Sequence, residues 1–321
     1  MTAPAMTKFG YFLSSEELTP LELVEAAKLA EAAGFERIWI SDHFHPWLSA
    51  QGQSPFVWSV IGAIAATTSL EITTGVTCPT YRIHPAILAQ ATATTECMAP
   101  GRFRFGIGSG EALNEHILGD SWPPVSVRLD RLVEAVELIR ELWTGETVTW
   151  EGKYFTVHNA KLFTVPDSPP PIYLSAFGPE ATDVAIDIAD GWVSTKPDKD
   201  NLARFKAAKP SGITQGGAKI CWAESEDDAA KTAHEMWGHQ VVGAGQTSQD
   251  LPMWHSFEAL AESSSPEQMK EQVPCGPDPD KAADHIRDYV DAGFDEVFIG
   301  QMGRDQKGGI RFLADKVLPL L

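Results

Sequence analysis

Residues 9–43 read FGYFLSSEELTPLELVEAAKLAEAAGFERIWISDH, and their order decides the fold. Phe9–Ser14 is a β-rich, apolar run. Thr19-Pro20 then opens a helix whose apolar residues are Leu21, Leu23, Val24, Ala27, Leu29 and Ala30, and Gly34 closes it. Thr at the cap, Pro at the first helical position and Gly past the end are the start and stop signals of a helix. Glu36–His43 follows as a second strand.

The same alternation runs outward along the chain. Helices are predicted at Phe56–Ser69, His84–Met98, Ser126–Thr144, Pro179–Asp190, Asn201–Ala208, Asp227–Gly238 and Asp278–Gly293. Strands are predicted at Leu70–Thr77, Arg102–Gly110, Ile172–Phe177, Gly191–Lys196, Ala218–Glu224 and Glu296–Met302, with a last helix after them. Eight strand-then-helix units in 321 residues predict an α/β fold, a (β/α)8 TIM barrel filling residues 1–321 as a single domain. Near-continuous apolar strands fit a parallel sheet covered on both faces. The competing doubly wound open sheet would carry a GxGxxG turn, and the Leu13–Pro20 turn has no glycine. Two segments interrupt the rhythm. Residues of about 145–168 alternate and turn at Glu151-Gly152, which predicts an inserted hairpin. Residues 240–276 are rich in Gly, Ser, Gln and Pro and read as an insertion, part loop and part helix.

The chain carries 25 Lys and Arg against 44 Asp and Glu, a net charge of −19. Such a surface repels phosphate backbones and anionic lipid, so neither nucleic acid nor membrane is expected as a partner. An anionic small ligand must find local backbone amides and a few cations. The four cysteines, Cys78, Cys97, Cys221 and Cys275, are widely spaced and form neither a disulfide framework nor a zinc motif, so no metal is expected. Residues MTAPAMTKFGYF show no signal-peptide pattern, and no stretch approaches the ~18 apolar residues of a membrane span. A cytoplasmic location is expected.

A barrel keeps its chemistry at the C-terminal ends of its strands. Asp42, His43, His45 and Trp47 stand after the second strand, and Gly75, Val76, Thr77 and Cys78 end the third. Ser109, Gly110, Glu111 and Asn114 end the fourth, Phe177 and Gly178 the fifth, Thr195 and Lys196 the sixth. An imidazole exchanges protons near neutral pH and can take one from an alcohol, and a partly buried glutamate can hold one. His43 and Glu111 are therefore the candidate acid–base pair; an ordinary satisfied polar pair is the other reading. Trp47 roofs a flat ligand or plugs the mouth. Asp42 orients His43, binds a ligand or caps a helix. His45, before Pro46, reads as a loop residue. The Gly106–Gly110 run and Phe177-Gly178-Pro179 each precede a helix, where amides bind phosphate, and close packing of the turn serves equally as their explanation.

SDHFHPW at 41–47, TCPTYRIHPAILAQATAT at 77–94 and GIGSGEALNE at 106–115 together resemble the coenzyme F420-dependent dehydrogenases of the bacterial luciferase-like superfamily. That family includes F420-dependent glucose-6-phosphate and secondary alcohol dehydrogenases. The resemblance implies a barrel with insertions, a homodimer, and the deazaflavin F420 in the barrel mouth. It implies that Asp42, Cys78, Ser109, Gly110 and Asn114 contact cofactor. His43 and Glu111 would be catalytic, Trp47 would flank the substrate, and Phe177-Gly178 would hold the F420 phosphate. Gly75-Val76 would form a bulge with a non-prolyl cis peptide under the deazaflavin.

Among the sugar-phosphate residues of the glucose-6-phosphate enzymes, Thr195 has its match here. A lysine three residues on is replaced by Asp198, with Lys196 and Lys199 beside it, and residues 240–276 hold only Lys270 among cations. The motifs DHFHPW, TCP and WPPVSVR are closer to the alcohol dehydrogenases. The expectation is hydride transfer between an alcohol or carbonyl carbon and C5 of F420. A sugar-phosphate dehydrogenase is the alternative, followed by an FMN-dependent monooxygenase and a non-catalytic F420-binding barrel.

Overall fold

A computed structural model describes residues 6–242 and 246–321. The first five residues of the stretch read for a signal peptide, and residues 243–245 of the 240–276 segment, lie outside the described residues. Ten strands occur among the described residues: β1 (Lys8–Leu13), β2 (Arg37–Ile40), β3 (Glu71–Thr74), β4 (Phe103–Ile107), β5 (Val148–Glu151), β6 (Thr156–Ala160), β7 (Ile172–Ser175), β8 (Gly191–Ser194), β9 (Ile213–Ile220) and β10 (Glu296–Gln301). Eight of them close a parallel barrel in the order β1-β10-β9-β8-β7-β4-β3-β2. The other two, β5 and β6, pair antiparallel within residues 145–168. Residues 240–276 carry three short helices, Gln246–Asp250, Trp254–Glu262 and Pro266–Gln272.

Local signals explain the first unit. Thr19 caps the helix Pro20–Ala32 in a full capping box: the Thr19 hydroxyl accepts from the Glu22 amide, and the Glu22 carboxylate accepts from the Thr19 amide. Leu23, Val24, Ala27 and Ala30 bury one face of that helix against the barrel. The barrel interior is plugged by Trp39, which stacks on Phe298 at 4.7 Å between ring centroids and meets Phe12 edge-on at 5.7 Å. Its indole donates to Gln215 at 2.9 Å. Trp192 is fully buried and stacks on Phe294 in the core.

The predicted strand at Ala218–Glu224 needs correction. The strand is Ile213–Ile220, and residues from Cys221 onward leave the barrel. Gly216 and Gly217 lower β propensity, which hides the first half of β9 from a pattern search.

Candidate active site

Going round the barrel mouth, each strand end delivers its residues to the next. After β1 come Glu16 and Glu17, both buried. After β2 come buried Asp42, then His43 and Trp47. Nε2 of His43 lies 3.4 Å from Glu16 Oε1 and 3.7 Å from Glu111 Oε2. Two hydroxyls, Ser14 and Ser41, each donate to Glu16 Oε2 at 2.7 Å. Burial raises the Glu16 carboxyl, but His43, the Ser41 hydroxyl, Lys219 and Ser14 outweigh it and hold it below its ordinary range. Glu111 goes the other way. Burial pushes its carboxyl up, against the pull of His43.

Asn114 aligns this pair. Its side-chain oxygen accepts the Phe44 and His45 amides at 2.9 and 3.1 Å. That turns its NH2 toward His43 Nδ1 at 3.1 Å and Glu111 Oε2 at 3.4 Å. Nδ1 of His43 is also 3.3 Å from the His45 carbonyl. His45 itself packs in the loop, with Nδ1 2.9 Å from the Leu113 carbonyl.

Trp47 walls the mouth. Its ring lies 5.1 Å from that of His43, stacks on His239 at 5.2 Å and meets Phe257 edge-on at 5.0 Å. Burial drives the His239 imidazole down to about 3, so this wall is uncharged. Asp42 stands apart from His43. Its carboxylate accepts from Thr77 Oγ1 and from Arg82, each at 2.7 Å, and is fully buried there. Cys78 is buried as well, with its thiol 3.1 Å from the Thr80 hydroxyl.

The next strand ends form a crescent of backbone. The Gly75-Val76 peptide is cis. Pairing of β3 with β4 runs through Thr73↔Arg104 and resumes at Thr77↔Ile107, which leaves one extra residue on the β3 side, a bulge. Close approach there requires Gly106, since a Cβ would sit 1.8 Å from the Thr74 carbonyl oxygen. Ser109 and Gly110 follow, half-buried. Gly110 has φ +82°, and a Cβ on it would meet the Cys78 sulfur at 2.7 Å. After β7, Phe177 is exposed, and Gly178 begins the helix Pro179–Ile188 with no side chain capping it and open space where a Cβ would stand. Thr195 and Lys196 stand exposed past β8. Asp198 is turned into its own helix, capping the Asn201 amide at 3.1 Å.

Glu16, Glu17, Lys219 and His239 escaped the sequence reading. Glu16 was legible, because the rule that places chemistry at strand ends applies to β1 as it does to β2. Lys219 was hidden by the misplaced strand, which put it at the start rather than the end. Among the described residues, no group of three or more His, Cys, Asp or Glu could hold a metal ion.

Known proteins are similar to this chain along nearly its whole length. The F420-dependent glucose-6-phosphate dehydrogenase of Microbacterium testaceum (strain StLB037) is 35% identical over 346 residues, covering 100% of this chain and 98% of the relative. The F420-dependent hydroxymycolic acid dehydrogenase of Mycobacterium tuberculosis (strain ATCC 25618 / H37Rv) is 36% identical over 328 residues, covering 99% and 89%. A solved F420-dependent secondary alcohol dehydrogenase, in complex with an F420-acetone adduct, superposes with a TM-score of 0.89 at 30% identity, over 98% of this chain and 99% of that one. The family model for luciferase-like monooxygenases matches residues 6–296, and the chain belongs to that luciferase-like family.

Proposed function

We propose that this chain is an F420-dependent dehydrogenase acting on CH–OH groups, and that its substrate is an uncharged alcohol or the matching carbonyl compound. The observation that carries the reading is His43 Nε2 set between Glu16 and Glu111 beside the Trp47 wall. The residues present fit a deazaflavin cofactor. The crescent from Gly75-Val76 through Ser109-Gly110 to Phe177-Gly178 is half-buried or exposed backbone on adjoining strands, and the helix N-terminus at Gly178 has no side-chain cap and is the place for a phosphate. When bound, F420 supplies the two-electron acceptor that receives hydride from the alcohol carbon.

The protein manages the proton and the orientation. In the tautomer with Nδ1–H donating to the His45 carbonyl, the Asn114 NH2 serves Glu111 instead of Nδ1, and Nε2 of His43 takes the hydroxyl proton of the alcohol. Ionised Glu16 steadies the imidazolium that results. Burial shifts the Glu111 carboxyl toward its protonated form at the same mouth. Asn114 orients Glu111 directly and the loop carrying His43 through the Phe44 and His45 amides, Trp47 packs on the substrate, and Asp42 and Cys78 brace the strand ends through Thr77, Arg82 and Thr80. The relatives' names keep a sugar phosphate as second reading, with Thr195 and Lys196 as its exposed contacts. Against it, Glu16, Glu17 and Glu111 crowd carboxyls into the mouth.

We further take residues 1–321 as one barrel domain with two insertions, acting as a homodimer in the cytoplasm. All four cysteines are free thiols, in keeping with a reducing compartment. No helix among the described residues is long and apolar enough to cross a membrane. The test is a fluorescence titration with F420 and FMN, followed by F420 reduction with isopropanol, with light scattering on the same sample. Tight F420 binding and alcohol-dependent bleaching are expected. Equal affinity for FMN, or no bleaching with any alcohol, overturns the reading.

A further inference from the structure

Lys219 is left without a task by the proton path above. It is the next-to-last residue of β9, in register with Gly300 of β10, and half-buried in the mouth. Its ammonium rests on the face of Trp237, 2.8 Å from the ring centroid, with the Phe12 ring at 5.8 Å. The Trp237 indole N–H donates to Glu17 at 2.7 Å, and the other Glu17 oxygen accepts from the Gly303 amide. One tryptophan therefore fixes both the lysine and a glutamate.

Titratable groups on several elements share an electrostatic field with this ammonium: Glu16 and Glu17 after β1, Glu111 after β4, and His239, whose ring lies 5.9 Å from that of Trp237. His43, after β2, faces the same Glu16, Glu111 and His239. Burial pushes the Lys219 ammonium down to about 7, while the three carboxylates pull it back up. In return, Lys219 draws all three carboxyls down. An aliphatic side chain would pack on Trp237 without the desolvation cost of an ammonium, so packing alone does not explain a lysine here. Without the cation, three neighbouring carboxylates repel one another and take up protons. A protonated Glu16 cannot steady an imidazolium.

We propose that Lys219 is a positioning residue for the reaction, whose ammonium keeps the Glu16 carboxylate ionised against His43. The proposal rests on the reading of His43 as proton acceptor. Its test compares Lys219→Met and Lys219→Gln, which remove the charge, with Lys219→Arg, which keeps it. Two readouts are taken. One is the pH profile of kcat/KM for isopropanol-dependent F420 reduction. The other is the carboxyl titration of 13C-glutamate-labelled protein without cofactor, with Glu16→Gln assigning the Glu16 signal.

In both neutral variants the Glu16 signal is expected to titrate at higher pH, and the acid limb of kcat/KM to move up with it. At pH values where both profiles are on their unit-slope acid limb, a shift of one pH unit lowers kcat/KM about tenfold. Lys219→Arg is expected to restore both toward wild type. Unmoved carboxyl titrations in both neutral variants, with activity lost evenly across pH, overturn the proposal. If the wild type turns over no alcohol, the dehydrogenase reading fails, while the carboxyl titrations alone still decide whether Lys219 governs Glu16.

Discussion

Glu16 Oε1 lies 3.4 Å from His43 Nε2, joining the turn after β1 to the turn after β2. Under the proposed reading of His43 as proton acceptor, the contact makes the base a pair rather than a single residue. Replacing His43 by Ala is expected to lower kcat/KM for alcohol oxidation by about 10²–10⁴-fold, the usual range for a general base, with F420 affinity changed far less. Glu16→Gln keeps the shape and the Ser41 contact but not the charge, so it should lower kcat by less than His43→Ala does. Steady-state kinetics with a parallel F420 binding titration measure both. Near-normal turnover in His43→Ala would make that residue structural.

Gly110 adopts a left-handed φ of +82° between the strand end and Glu111. An alanine there meets an unfavourable backbone and the Cys78 sulfur together. The expected cost is about 1–2 kcal/mol for the backbone alone, seen as a lowered Tm. F420 binding should weaken with it. Unchanged Tm and unchanged F420 affinity in Gly110→Ala would remove Gly110 from the cofactor crescent.

Burial pushes the Glu115 carboxyl up to about 7, even though Arg82 pulls it down. The folded state thus holds this proton more tightly than the unfolded chain, whose ordinary value is near 4.5. The associated stability is fully present below the ordinary value and is lost as pH rises through about 7. Glu115→Gln mimics the protonated acid. Its Tm is expected to fall less than that of wild type between pH 5 and pH 8, which calorimetry at the two pH values compares. An equal fall in both proteins would show that Glu115 is ionised throughout.

Substrate class follows from the charge of the mouth. Charged hydrogen bonds to a phosphate contribute about 1.5–3 kcal/mol each, and Asp198 provides none of them. Losing two cationic partners weakens binding by roughly a hundredfold or more, at ~1.4 kcal/mol per factor of ten. The kcat/KM for isopropanol is therefore expected to exceed that for glucose 6-phosphate. Kinetics with both substrates at low ionic strength are decisive, since a phosphate site shows most strongly there. A higher value for the sugar phosphate would mean that Lys196 and Lys199 rebuild the anion site.

The strand and helix alternation is written locally, so the barrel was legible from residues 9–43 and their repetitions. Thr19-Pro20 and Gly34 mark their helix through contacts only a few residues apart. His43, Glu111 and Trp47 were legible for a related reason: a barrel brings all its strand ends to one face, so position along a strand already implies position near the site. Distance and charge were not legible. Whether Glu16 touches His43, whether Asp42 faces His43 or Arg82, and whether Asp198 faces a ligand or its own helix depend on side-chain directions set by packing across the barrel. Lys219 shows the limit most clearly. Only closure of the barrel sets a lysine of β9 in the same field as glutamates after β1 and β4, and that mutual influence on their titration is absent from any local stretch of sequence.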